Sequence, residues 1–583
     1  MEWPEFSTET FEYVTTPTAK QIWKRAALAA ASDLTQRDAK AKELVDAFVD
    51  RLRNCQNWRY EYRSILYDFT ALHAHVDNET ALDMAQAGLD AVHDLLLYRL
   101  DPHTAVPCKD AFIFCKTIGT PLKTLKIVGT KAPDLDFQFG IADPQRPHTI
   151  ESCLFGMDAV EQINAWYDYG VMETSAAVLA KTTVTCTNLP ALISRKVFIV
   201  LGCTSELGPT KSLLQIPGTT VLGIARGGKR LDDVLDFCRY NSPDDTTFLY
   251  PSSDDMYPNG GADLLLQAPQ IAQWILDETK DNDELVLVTC AYMDGEAHVR
   301  VTASMDLIVQ RVMRSRSKSM LWSYTSPATC MVLPPTAASE ACQRRQQRPA
   351  YEQWTNKLSG GRFLESSLEV DQHNHDYCIL NGIVSSQGPN YVLAKTIQQW
   401  RCMITQYRDN QKVSAPFAPA TRTSSMVQYD TVSNALEGMH HFEPMLAFDV
   451  EPASTLMAAI LLAHLQLLNR SLPDLDESPF SMFWDGAVHG GVWTCPYTLE
   501  SISIINYALG KVTYYPKGYI PPGALPVKDD DDEDGEAFVD GEVRTRSKVP
   551  KTRTIDPDVL LTLTDATNGQ PMPDSVRERL DFM

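Results

Sequence analysis

An α/β fold, with a doubly wound parallel sheet, a mainly helical domain before it and an acidic segment near the C-terminus, is predicted by three features of this sequence. The first is Lys196 to Gly208, KVFIVLGCTSELG, where the apolar run Val197 to Leu201 stops at a glycine turn. An uninterrupted, β-branched-rich run of this kind reads as a central strand buried on both faces. The second is the alternation of strand-like and helix-like segments that continues from there to about residue 418, the pattern of a parallel sheet with right-handed crossovers. The third is the three- and four-residue apolar spacing over residues 18–100. At 583 residues the chain is too long for one core, so several domains are expected. Residues 1–190 read as a helical domain with a few short strands, 195–510 as the sheet domain, and 521–583 as an acidic linker and tail.

In chain order, QIWKRAALAAA, KAKELVDAFVDRL and ALDMAQAGLDAVHDLLLYRL predict helices, with Thr35 and Asp77 or Asn78 as N-caps. The aromatic stretch WRYEYRSILYDF predicts packing staples between them. AFIFCK and LKTLKIVG, on either side of Gly119-Thr120-Pro121, predict short strands, and 157–167 and 174–181 two more helices. No convergent polar constellation stands out in this third, so it reads as an accessory or dimerisation domain, compatible with a homo-oligomer.

After the opening unit, strands are expected at 219–225, 247–250, 284–291 and 320–325, with helices at 231–239, 263–277 and 298–314. The rhythm breaks over 327–386, which carries Pro334-Pro335, the basic run Arg344-Arg345-Gln346-Gln347-Arg348 and Gly360-Gly361. It reads as an insertion over one edge of the sheet. Alternation resumes with a helix at 391–407, a strand at 412–418, an apolar helix at 454–468 and a short strand at 480–484. Beyond Pro521, VKDDDDEDGEAFVDGEV is a block of like charge that cannot bury itself and is expected to be disordered.

A hydrophobic content of 44% with 22% charged residues is that of a globular protein. The net charge of −23 argues against a nucleic-acid-binding surface or an anionic-membrane anchor, either of which presents a concentrated basic patch. MEWPEFSTETFEY lacks the basic and apolar regions of a secretory signal. Thirteen cysteines scattered without CxxC pairs point to a reducing, cytoplasmic setting. The longest apolar run, Leu456 to Leu468, is broken by His464 and Gln466 and is shorter than the ~20 residues of a membrane span, so it reads as a buried core helix.

Strand, glycine turn and helix form the phosphate-cradling unit of a Rossmann-type dinucleotide fold. The turn Gly202-Cys203-Thr204-Ser205-Glu206-Leu207-Gly208 resembles the cofactor loop of the short-chain dehydrogenase/reductase superfamily, whose glycines take its first, fifth and seventh positions. Gly202 and Gly208 match the outer two. Glu206 takes the middle one, where a carboxylate would repel a pyrophosphate. Tyr391-Val392-Leu393-Ala394-Lys395 resembles the family's YxxxK signature, and on a helix that spacing puts both side chains on one face. In the segment from Lys412 to Thr423, Pro419 and Thr423 are similar to a PGxxxT-like loop, with Ala420 in place of glycine.

The resemblance covers about residues 195–495. It implies that Tyr391 is a general acid/base, that Lys395 lowers the phenol from its usual ~10 and holds the cofactor ribose, and that a serine, Ser326 or Ser386, hydrogen-bonds the substrate oxygen. It assigns Gly202, Thr204, Ser205, Leu207, Gly208 and Thr423 to cofactor binding. The family's asparagine after the fourth strand is absent, since ELVLVTCAYMDG carries Thr289, Cys290 and Tyr292 there.

Arg226 at the end of the second strand, with Lys229 and Arg230 close behind, offers cations for a 2′-phosphate, which points to NADP(H). Asp371, His373, His375 and Cys378 have a spacing that could hold a metal, but no partner pair accompanies them and no metal is expected. The region 423–445, with Met426, Met439, Phe442, Met445 and Leu446, is expected to close the pocket over a small hydrophobic substrate. The expected function is an NADP(H)-dependent oxidoreductase acting on a carbonyl or enoyl group. The alternative is a nucleotide-binding scaffold or sensor without turnover.

Overall fold

A computed structural model describes residues 11–526 apart from 13–14, 34–38, 102–103, 115–120, 147–151, 255, 349, 361, 366–367, 371–377, 467–477 and 513–519. Thr35, the acidic block, and Asp371, His373 and His375 lie outside the described residues. After a two-residue strand, Phe11–Glu12, come four helices: α1 (Thr15–Asp33), α2 (Ala39–Asn54), α3 (Trp58–His75) and α4 (Asn78–Leu95). The Asp77 carboxylate accepts the Thr80 N–H at 3.0 Å and caps α4.

Three local expectations are corrected in this region. WRYEYRSILYDF is the body of α3, because Tyr62, Ile65, Leu66 and Phe69 recur at helical spacing and bury together. The last turn expected of α4 is instead a strand, Leu97–Asp101, paired with Thr104–Pro107. AFIFCK opens with a short helix, Ala111–Phe114, that continues from the 3₁₀ turn Cys108–Asp110.

The central sheet has seven strands: β1 (Lys123–Val128), β2 (Lys196–Leu201), β3 (Thr220–Ile224), β4 (Thr247–Ser252), β5 (Glu284–Thr289), β6 (Ser319–Ser323) and β7 (Lys412–Ser414). They lie in the order β7-β6-β5-β2-β3-β4-β1. The strands from β2 to β7 are parallel, and β1 pairs antiparallel with β4 at the edge. The chain thus winds outward from β2 in one direction and then from β5 in the other. The crevice at that reversal is where ligands bind in open α/β sheets.

Each strand feeds both faces by its period of two. Ile199, Leu201, Leu222, Ile224, Leu285 and Leu287 share one cluster with α5 (Glu296–Ser315), α6 (Gly388–Tyr407) and the helices α1 to α4. Phe198, Val200, Val221, Val286 and Val288 join the helices Gly156–Tyr169 and Thr174–Val184 on the opposite side. Trp400 of α6 meets Trp23 of α1 edge-on at 5.5 Å between ring centroids. Gly88 of α4 makes room for it, since a Cβ there would fall 2.4 Å from the Trp400 ring. Beneath them, Asp306 of α5 accepts from Arg401 of α6 at 3.1 Å and lies 2.6 Å from His93 Nε2 of α4, all three buried.

The 327–386 segment contains its own antiparallel sheet, Cys330–Leu333 against Cys378–Asn381 and Leu368–Val370. Farther on come α7 (Asp430–Gly438), α8 (Val450–Gln466) and α9 (Leu499–Val512). In α8, Leu456 to Ala463 are fully buried, as expected of a core helix. Among the described residues no helix is long and apolar enough to cross a membrane. The strand expected at 480–484 is a 3₁₀ turn, Ser481–Phe483, which buries Phe480 and Phe483 on one side at a three-residue spacing.

Candidate active site

A cavity of about 1060 Å³ opens at the carboxyl ends of the parallel strands. Gly202, Thr204, Ser205, Glu206 and Leu207 of the glycine loop line it with Arg226, Lys229, Arg230, Tyr391, Lys395 and Thr423, whereas Gly208, expected to bind cofactor, is buried behind the loop and does not. The fold therefore gathers side chains from distant parts of the sequence, Glu206 and Ser424 being 218 positions apart, around the crevice between β2 and β5.

The loop after β2 is two consecutive turns, with the Ser205 N–H donating to Gly202 O at 2.9 Å and the Gly208 N–H to Ser205 O at 3.0 Å. Gly202 has φ +97°, and a Cβ there would lie 2.5 Å from Ala291 N on the chain leaving β5. Only glycine meets both conditions. Tyr324, just beyond β6, donates its hydroxyl hydrogen to Leu207 O at 3.0 Å and ties the loop to the sheet. Thr204, Ser205 and Leu207 are left facing the cavity.

Ser326 and Tyr391 meet, Oγ to Oη, at 2.6 Å. The other candidate, Ser386, lines the cavity with an exposed side chain, and its neighbour Ser385 is held by Glu500. Ser326 is thus the serine hydroxyl set against the phenol. Burial pushes the Tyr391 phenol up to about 12, with the Ser326 hydrogen bond pulling the other way. Burial also pushes the Lys395 ammonium down to about 8.

The expectation that Lys395 lowers the phenol is corrected by this geometry. Its Nζ donates to Gln398 Oε1 at 3.0 Å and Tyr324 O at 3.5 Å, and stands 6.0 Å from the Tyr391 ring centroid. Desolvation outweighs the cation at that distance, so each group is driven towards its neutral form.

Sequence reasoning missed the support behind Tyr391. His298, in the first turn of α5, stacks on its ring at 5.5 Å with 19° between planes and is 1% exposed. Burial, then the Lys395 charge, holds His298 well below the usual imidazole range, so it is neutral. Its Nδ1 accepts the Met293 N–H at 3.4 Å. Within the sequence His298 reads only as one residue of a helix.

At the other end of the cavity, Arg226, Lys229 and Arg230 are exposed, and none is ion-paired among the described residues. Asp263, whose carboxyl burial raises and the Arg226 charge lowers, lies on the wall beside them. Another wall carries Met426 and Met439, as expected, together with Val432 and Leu436 of α7 and Leu499 and Ile504 of α9, interspersed with Thr431, Glu500, Ser503 and Asn506; the expectation that Phe442, Met445 and Leu446 close the pocket is corrected, since none of the three lines it. Among the cavity-lining residues the cations are Arg226, Lys229, Arg230 and Lys395, so none stands on this wall. Glu206 does not point into the glycine loop. Its Oε2 accepts the Ser424 N–H at 2.7 Å across the cavity mouth.

No family model matches the chain, and no curated protein matches it. Among solved structures, a short-chain type dehydrogenase/reductase from Mycobacterium ulcerans is similar to it at 12% identity with a TM-score of 0.29, over 55% of this chain and 98% of that one. A likeness at that level carries no weight for function.

Proposed function

We propose that this chain is an NADP(H)-dependent oxidoreductase that reduces a carbonyl or enoyl group on a small, uncharged hydrophobic substrate. The observation that carries this reading is the Ser326–Tyr391 hydrogen bond, with Lys395 one helical turn behind, inside the same cavity as the glycine loop.

The residues present suit a dinucleotide phosphate. Gly202 lets the backbone after β2 pack where a Cβ would collide, and Arg226, Lys229 and Arg230 offer unpaired charge at the adenosine end. When bound, the nicotinamide supplies a hydride. The chain's own residues handle the oxygen and the proton. Ser326 Oγ and Tyr391 Oη converge on one point, where a substrate oxygen can accept from both. As that oxygen gains charge, Tyr391 delivers its proton to it, and the Lys395 ammonium, 6.0 Å from the phenol ring, adds positive charge to the site as a whole. The cavity-lining residues of α7 and α9 include no cation for a carboxylate or phosphate on the substrate, and Glu500 among them would repel one.

The pH dependence follows from these two half-buried groups. Tyr391 stays protonated up to about 12, so the acid is present throughout the neutral range. Lys395 carries its charge only below about 8. Reduction is therefore expected to hold steady at lower pH and to fall as pH rises through about 8. Initial rates of NADPH oxidation with a panel of apolar ketones, aldehydes and enones, measured across pH, test this. A rate that stays flat to pH ~10, the range of an ordinary lysine, would contradict the role of Lys395.

A further inference from the structure

Glu206 occupies the one place in the glycine loop where the residue type argues against a bound pyrophosphate, yet its carboxylate faces away from the loop. It spans 218 positions of sequence to take the Ser424 N–H at 2.7 Å. We propose that Glu206 is a positioning residue that clasps the strap 423–428 over the nucleotide, a role that rests on the nucleotide reading of the cavity.

The contacts around the strap show why one hydrogen bond there matters. Up to Arg422 the chain is held several times over: the Arg422 N–H donates to Phe448 O, its guanidinium donates to Ala447 O at 2.7 Å, and Glu437 and Asp449 flank it. Beyond that point the ties from the strap to the walls of the mouth are few. Ser424 is held by Glu206 on the glycine-loop side, and the Gln387 side-chain amide donates to Met426 Sδ at 3.5 Å on the α6 side. Sulfur is a weak acceptor, so the carboxylate supplies the stronger of these two ties. Thr423, Ser424, Ser425 and Met426 line the cavity between them. The strap is the short helix Ser424–Val427, tied at Arg422 on one side and leading into α7 on the other, and the Glu206 carboxylate takes the N–H of its first residue, the contact whose release frees it to swing. The same hydrogen bond commits one Glu206 oxygen to a backbone N–H, while the residue lines the cavity beside Gly202, Thr204 and Ser205.

The clasp and a simple electrostatic obstruction make opposite predictions for two variants of the full-length protein. Stopped-flow release of NADPH should be about fivefold faster in Glu206→Ala, the effect of one net hydrogen bond. Glu206→Gln retains an acceptor oxygen and should restore the wild-type rate. Hydrogen exchange at 423–428 should rise in Glu206→Ala and not in Glu206→Gln, a readout that does not depend on cofactor. Unchanged release and exchange in Glu206→Ala would overturn the clasp. Tighter NADPH binding in both variants would overturn it in favour of a carboxylate that merely repels phosphate. A wild-type protein that binds no NADPH would instead overturn the nucleotide reading, and the clasp over a nucleotide with it.

Discussion

Tyr391→Phe is expected to cut NADPH-dependent reduction about a thousandfold, in the middle of the range for a positioned general acid. Nucleotide affinity should change little, because the variant removes one hydroxyl and leaves the ring. The phenylalanine keeps the stack on His298 and the packing of α6 against α5. What goes is the proton donor and the 2.6 Å contact with Ser326. Single-turnover rates with NADPH, beside a binding titration, separate the two effects. Normal turnover in the variant would remove Tyr391 from the reaction.

Asp306→Ala should produce the largest loss of stability, about 3–5 kcal/mol, because removing one partner strands an uncompensated buried charge. The side chains of Asp306, Arg401 and His93 are 2%, 6% and 8% exposed, so water cannot replace the missing carboxylate. The effect should reach the site as well as the core, since Arg401 sits on the helix that carries Tyr391 and Lys395. Burial alone would raise the Asp306 carboxyl, but Arg401 and His93 hold it well below the usual carboxylate range. A depressed carboxylate contributes stability that is present above its unfolded pKa of ~3.9 and lost only as pH falls below that range. Urea denaturation at neutral pH checks the magnitude. A loss under ~1 kcal/mol, the worth of an exposed pair, would show that the group is solvated.

How much of this could be read in the sequence depends on how local each signal is. β2 was legible because five apolar residues ending in Gly202 need no partner to be recognised, and the order of strands and helices after it followed from periodicity. Tyr391 and Lys395 share a helical turn, so their proximity was legible too. Their protonation was not, because it depends on burial by residues brought in from α5 and β6.

Ser326 could not be separated from Ser386 by reading alone. The insertion between β6 and α6 separates Ser326 from Tyr391 in sequence, and only the fold brings the end of β6 back to α6. The aromatic residues of α3 do staple helices together, Phe69 meeting Trp23 of α1 at 4.7 Å and Phe48 of α2 at 5.5 Å between ring centroids, but their density masks the helical spacing that makes the stretch a helix itself. His298 and the Glu206–Ser424 contact left no signal, since a stacked imidazole and a backbone N–H reached across 218 positions have no sequence pattern.

Titration of the purified wild-type protein with NADPH and NADH, followed by calorimetry or nicotinamide fluorescence, bears most directly on the claim that the cavity is a nicotinamide-nucleotide site. One saturable site per chain is expected, with NADPH bound more tightly than NADH if, as proposed, Arg226, Lys229 and Arg230 receive the 2′-phosphate. Binding of neither nucleotide would contradict the account.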